Sequence, residues 1–148
     1  FDAQNYINKY LEHYSGINNY MNEIILLAKK QGYVETIFHR RRYLPELNSS
    51  NFLLRSFGER VARNMPIQGS AADIIKIAMI NVYKRLLDED FKSKIILQVH
   101  DELIIESPED EYEEVKKLLK EEMENAVKLN VPLEVHIAVG KTWFDAKE

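Results

Sequence analysis

Two segments rich in aliphatic and β-branched residues, Lys94 to Val99 and Glu102 to Glu106, are separated only by His100-Asp101. This arrangement restricts the fold more than any other stretch. Strands joined by two residues close as an antiparallel hairpin, because a parallel pair needs a crossover of roughly a dozen residues or more. With Ile95-Ile96-Leu97 on one side and Leu103-Ile104-Ile105 on the other, the support is stiff, and the turn's Asp carboxylate projects outward.

Around the hairpin the periodicity is mostly helical. Tyr6, Ile7, Tyr10, Leu11 and Tyr14 recur at the spacing of one helical face behind a capping Asp2, and Ser15-Gly16 is expected to end that helix. A second helix carries Ile17, Tyr20, Met21, Ile24 and Ala28 and closes near Gly32, so the two are expected to pack as a helical hairpin. Tyr33 to Pro45 reads as a short strand or irregular ribbon. Asn48 to Asn51 is a polar break able to cap a helix over 52–63.

Pro66 has no amide to donate and disfavours the α conformation at Met65, which predicts an interruption and a new helix over 69–87. That helix is apolar nearly all round, the pattern of a buried central element. An amphipathic helix from Pro108 to about Lys128 and a last strand over 131–139 follow. The order helix, strand, strand, helix, strand suits an α+β fold whose antiparallel sheet, bearing the hairpin, is covered by helices on one face.

The chain has 148 residues, 45% of them hydrophobic, which is enough for one core and a single domain. It has no run of ~20 apolar residues, so a membrane span is not expected. Zero Cys removes disulfides and thiolate metal sites and fits a reducing compartment. The chain opens on Phe1 rather than Met, as a processed product or a piece of a larger protein would.

The net charge of −4 argues against nucleic-acid affinity spread over the whole surface. Arg40, Arg41, Arg42, Arg55, Arg60 and Arg63 nevertheless share one window whose only acids are Glu46 and Glu59, while acids gather between Glu106 and Glu124. One basic face and one solvated acidic helix are expected.

At the hairpin tip, Asp101 with Glu102 beside it matches the share of ligands a protein gives Mg²⁺, which takes one or two carboxylates plus phosphates and waters. Judged by spacing alone, the same tip is more readily a solvated turn, since Asp is a common turn former. The literal run Gln98-Val99-His100-Asp101-Glu102-Leu103-Ile104-Ile105-Glu106 shifts that balance. It resembles, almost residue for residue, the third conserved motif of the family A DNA polymerases, the bacterial DNA polymerase I group.

Other blocks resemble that family in the same order: Gly32-Tyr33-Val34-Glu35-Thr36, Arg40-Arg41-Arg42-Tyr43-Leu44-Pro45, Glu59-Arg60 with Asn64 to Asp73, Val131-Pro132-Leu133-Glu134-Val135 and Gly140-Lys141-Thr142-Trp143. The resemblance covers essentially the whole chain. It implies a C-terminal part of the polymerase domain, with residues 1–32 a helical hairpin from the fingers side and residues 33–148 a portion of the palm. The implied parent is a DNA-directed DNA polymerase of the bacterial cytoplasm. It transfers deoxynucleotides from dNTPs to a primer 3′-hydroxyl on primer-template DNA with two Mg²⁺ ions.

By the resemblance, Asp101 is one of two catalytic, metal-binding aspartates and Glu102 a neighbouring acid that orders the site. Gln68 and His100 match donors near the primer terminus, where minor-groove acceptors can be read almost independently of base identity. Arg60 and Asn64, four apart on one helical face, match template or primer contacts, and Arg63 falls off that stripe. Arginines in an extended segment alternate sides, so at least one of Arg40, Arg41 and Arg42 is expected to pair with protein acids. His39 stands where relatives commonly carry Gly.

His13, His39 and His136 lack ligand-like spacing and read as structural. Tyr6, Tyr10, Tyr14 and Tyr20 read as core or partner contacts. The family's other palm aspartate and its nucleotide-binding fingers helix match nothing in this sequence. The isolated 148 residues are therefore expected to be inactive, and exposed apolar faces on the first two helices to favour self-association or pairing with an upstream part. Two rival readings are a metal-dependent phosphohydrolase using His100-Asp101 as a ligand pair, and a non-enzymatic nucleic-acid-binding module built on Arg40 to Arg63.

Overall fold

A computed structural model describes residues 2–147, and side chains over 3–146, so the cap expected from Asp2 lies outside the described side chains. The chain divides into two compact units, Phe1–Ser70 and Ala71–Glu148.

The first unit opens with α1 (Asp2–His13) and α2 (Ser15–Gln31). Only Tyr14 lies between them, and its carbonyl accepts the amides of Ile17 and Asn18. Gly16 therefore sits in the first turn of α2 instead of ending α1. The tyrosine stripe of α1 is not a core face: Tyr6 is 74% exposed and Tyr10 52%. Tyr10 and Tyr14 meet in a tilted ring contact at 4.8 Å between ring centres. The next helix buries Ala28 of its stripe together with Ile25 beside it, and ends where Gly32, at φ +82°, sends its amide to the Ala28 carbonyl.

The ambiguous ribbon resolves into an antiparallel pair, β1 (Tyr33–Glu35) and β2 (Arg41–Tyr43), with Val34 opposite Arg42. His39 takes φ +62° in the connecting turn, the left-handed region that Gly enters most readily. The hydroxyl of Thr36 stabilises this turn by accepting the amides of Phe38 and Arg40. After a 3₁₀ turn over Pro45–Asn48, the Asn51 side chain caps α3 (Phe52–Asp88) by accepting the Leu53 amide at 2.9 Å. Ile25, Ala28, Val34, Leu44, Leu47, Ala62 and Met65 close the core of this unit.

The interruption expected at Pro66 does not occur, since α3 runs unbroken through it for 37 residues. An interior proline costs a helix about 3 kcal/mol, so other contacts must offset it. Ala62 and Met65, one turn or less before Pro66, are buried in the core and anchor the helix there. Just beyond, the Ser70 hydroxyl donates to the Pro66 carbonyl and accepts the Ile37 amide, and Arg40 donates to the Gly69 carbonyl at 3.1 Å. These bonds fasten the stretch of helix just beyond Pro66 to the β1–β2 turn.

In the second unit, α3 is not apolar-buried all round. Val82 and Leu86 face the core while Ile80, Tyr83 and Leu87 stay exposed, because the core of this unit meets the helix on one face. Val115, Leu118 and Leu119 of α4 (Tyr112–Glu124) complete that core. Arg85 ties the two helices by reaching Glu121 at 2.8 Å and Glu122 at 3.2 Å. This helix is shorter than its amphipathic pattern suggested: Asn125 places its side-chain amide on the Glu121 carbonyl at 2.7 Å and ends it.

The predicted hairpin is present as β3 (Lys94–Val99) and β4 (Glu102–Glu106). A bulge at Ile96 separates the pairs Ile95–Ile105 and Leu97–Ile104, an irregularity the alternation of residue types did not announce. Phe91, Ile95, Leu103 and Ile105 pack on the α4 core, whereas Ile96 on the bulge is exposed.

The last strand, expected over 131–139, is not formed: the described hairpin sheet has two strands and this segment pairs with neither. Its alternation survives as burial alone, with Leu133, Val135 and Ile137 half-buried between exposed neighbours. The Val135 amide is satisfied by Glu124 instead of a ladder partner. The fold class nonetheless stands as α+β, helices with small antiparallel sheets.

The base of the hairpin is clasped by Glu111, whose carboxylate accepts the amides of Lys92 and Ser93 and the Ser93 hydroxyl at 2.7 Å. Ser93 is buried and also bonds Ser107 across the hairpin. The Lys92 amide, followed by the Ser93 donors, holds the Glu111 carboxyl below its ordinary value. A depressed carboxyl contributes stability above its unfolded pKa and loses it as pH falls through the folded value. Glu111→Gln is therefore expected to lower the urea midpoint at neutral pH and to flatten its decline on the acid side, read from unfolding curves between about pH 3 and 7.

Candidate functional site

The two groups of residues singled out by sequence fall in separate units. In the second unit, His100 and Asp101 form the two-residue turn, with Val99 paired to Glu102 as the last rung beneath it. Asp101, Glu102 and His100 are all exposed. The tip offers hard oxygen donors on a rigid support, the donor type Mg²⁺ takes. Among the described residues no group of three or more His, Cys, Asp or Glu is clustered to hold a metal, so the tip provides one or two carboxylates and no closed cage. This fits a cation that keeps waters and ligand phosphates in its shell. It fits poorly with a phosphohydrolase, which needs further His or Asp ligands.

Only the first residue of the turn is left-handed, His100 at φ +51°. The side chain of Gln98 donates to the His100 carbonyl at 2.7 Å. Gln98 opens the motif-like run Gln98 to Glu106, and the sequence signal for its role is a non-glycine residue, His100, in a turn position that favours positive φ.

In the first unit, Arg60, Asn64 and Gln68 lie four residues apart along α3 and are all exposed. Their spacing places them on one face over about 12 Å, close to the length of three or four nucleotides of one strand at roughly 3.4 Å each. Arg63 is off this stripe, half-buried, and its Nε has no hydrogen-bond partner.

Beside Gln68, Gly69 carries the contact with the β1–β2 turn: a Cβ here would lie 2.8 Å from Thr36 Cγ2. Thr36 is buried and β-branched, so it has little room to give. Pro66, Gly69 and Ser70 thus seat the turn and fix the helix next to Gln68.

The arginine triple splits as alternation predicts. Arg41 bonds Glu35 at 3.4 Å and lies 4.5 Å over the Tyr33 ring, while Arg40 reaches Gly69. His39 and then Arg41 hold the Glu35 carboxyl below its usual range. His39 itself faces Glu35 at 3.2 Å, and His13 packs edge-on against Tyr14 at 4.7 Å. His136 lies in a groove of about 390 Å³ with Lys116, Lys117 and Lys120. No helix among the described residues is long and apolar enough to cross a membrane.

Comparison with known proteins gives one consistent result. The profile of DNA polymerase family A matches residues 1–145. DNA polymerase I of Lactococcus lactis subsp. lactis is 56% identical over 146 residues, which is 99% of this chain and 17% of that protein. DNA polymerase I of Bacillus subtilis is 53% identical over the same shares of each chain. The solved POL domain of Pol1 from M. smegmatis, in complex with DNA primer-template and dNTP, superposes with a TM-score of 0.96 at 47% identity, covering 99% of this chain and 26% of that one. The chain thus spans about one sixth of the length of these curated relatives.

Proposed function

Because the chain belongs to DNA polymerase family A, we propose that it contributes the metal-site hairpin and a DNA-tracking helix to a DNA-directed DNA polymerase of the bacterial cytoplasm. Its reaction would be template-directed transfer of deoxynucleotides to a primer 3′-hydroxyl. The observation that carries this reading is the tip itself: two adjacent exposed carboxylates on a turn whose strands are paired and whose base is clasped by Glu111. The relative solved with primer-template and dNTP supports those two partners for the parent protein. In this reading residues 1–32 come from the fingers side and residues 33–148 from the palm.

Asp101 presents a carboxylate oxygen for Mg²⁺, with Glu102 ordering the site beside it. Two such ions, when bound, supply Lewis-acid activation of the hydroxyl and neutralise phosphate charge. Asn64, Gln68 and His100 offer hydrogen bonds to the primer-template, and Arg60 adds charge toward its phosphates. By themselves the 148 residues provide one such carboxylate pair, and we expect no nucleotide incorporation from them alone.

The test is primer extension and duplex binding by a polymerase that carries this segment. Arg60→Ala is expected to weaken primer-template binding about equally for all sequences and to reduce the slope of log affinity against log salt by about 1, measured by fluorescence anisotropy. An unchanged salt slope would remove Arg60 from the phosphate contacts.

A further inference from the structure

We propose that Gln98 is a positioning residue for Asp101, acting through the main chain of the turn. Its consequence for activity rests on the polymerase reading of the hairpin; its consequence for the turn does not.

Among the described residues the Asp101 side chain makes no hydrogen bond, so it is the main chain that sets where its Cα–Cβ bond points and which space its carboxylate can reach. That main chain passes through His100 at φ +51°, a conformation that a residue with a Cβ enters reluctantly, though His does so more often than most. Something must hold it there. The side-chain amide of Gln98 donates to the His100 carbonyl at 2.7 Å.

The His100 carbonyl and the Asp101 amide belong to one planar peptide unit. Pinning that oxygen therefore limits rotation at His100 ψ and Asp101 φ together, the two torsions that swing the Asp101 side chain. Gln98 itself is fixed by the ladder, opposite Leu103 and one rung below Val99–Glu102. The bond thus braces the peptide of the turn against a residue of the regular strand. The requirement is a donor: a carboxylate of the same size cannot supply it and would face a carbonyl oxygen.

The test compares Gln98→Ala and Gln98→Glu in a polymerase carrying this chain. Without metal or DNA, amide hydrogen exchange of the peptide spanning 99–103 is expected to rise severalfold in both, while α4 keeps its protection. In primer extension, kcat is expected to fall on the order of tenfold with KM for the nucleotide held within about twofold, as displacement of a prepositioned group predicts.

Wild-type exchange at the tip in either variant would overturn the proposal. So would loss in Gln98→Ala but not in Gln98→Glu, which would point to side-chain volume, or a rise spread equally over α4, which would point to general loosening. Asp101→Ala serves as the separate control. If it retains extension, the polymerase reading of the hairpin fails, and the exchange data still judge Gln98 by themselves.

Discussion

Asp101→Ala is expected to lower single-turnover nucleotide incorporation by at least about a thousandfold in a polymerase that carries this chain. The magnitude follows from the role. Loss of a carboxylate that holds a catalytic cation forfeits several kcal/mol of transition-state charge stabilisation, and each 1.36 kcal/mol is about tenfold in rate. Binding of primer-template should be unchanged or slightly tighter, because the substitution removes negative charge without touching the α3 stripe. Glu102→Gln, one step removed, is expected to cost about tenfold to a hundredfold. Quench-flow incorporation set beside anisotropy titrations separates these effects. Extension by Asp101→Ala within tenfold of wild type would sink the catalytic assignment.

Much of the frame behind that expectation was legible in the residues. Two apolar runs with two residues between them have few alternatives to a hairpin, and β3 and β4 formed where expected. The Asn51 cap and the Gly32 stop were likewise readable, because each is a local hydrogen-bonding event. Local rules failed where distant partners decided the outcome. Pro66 lies inside α3, where Ala62 and Met65 just before it are anchored in the core and the bonds of Ser70 and Arg40 just after it tie the β1–β2 turn to the helix. Residues 131–139 have strand-like alternation but lack a ladder partner, and Glu124 bonds Val135 instead.

The same division holds at the site. Arg60, Asn64 and Gln68 share a face because helical spacing requires it. The residue types of Asp101 and Glu102 allow metal binding but do not demand it, and only the order of several sequence blocks gave them a role. Gln98 was harder to read, because its bond depends on the His100 torsion, for which the sequence offers only a non-glycine residue in a two-residue turn. The exposed face of α1 follows one of the two readings its tyrosines allowed, a partner contact rather than a core face. Periodicity reveals that a helix has an apolar side, but not whether this chain contains the surface that covers it.

The support beneath the hairpin leads to the second large effect, on stability. Leu118→Ala is expected to destabilise the second unit by about 2–5 kcal/mol. Leu118 is 1% exposed and belongs to the cluster of Val82, Leu86, Val115 and Leu119, on which Ile95, Leu103 and Ile105 of the hairpin rest. Truncation removes buried methyl groups and leaves a cavity that strands on one side and α3 on the other cannot easily collapse into. Leu118 sits beside Val115 and Leu119 on the buried face of α4. Urea unfolding gives the size of the loss, and hydrogen exchange in β3 and β4 shows where it is felt. If Leu118 carries the hairpin, protection at Ile95, Leu103 and Ile105 should fall with the global stability. Protection that persists there after Leu118→Ala would mean the hairpin is held by the Glu111 clasp alone.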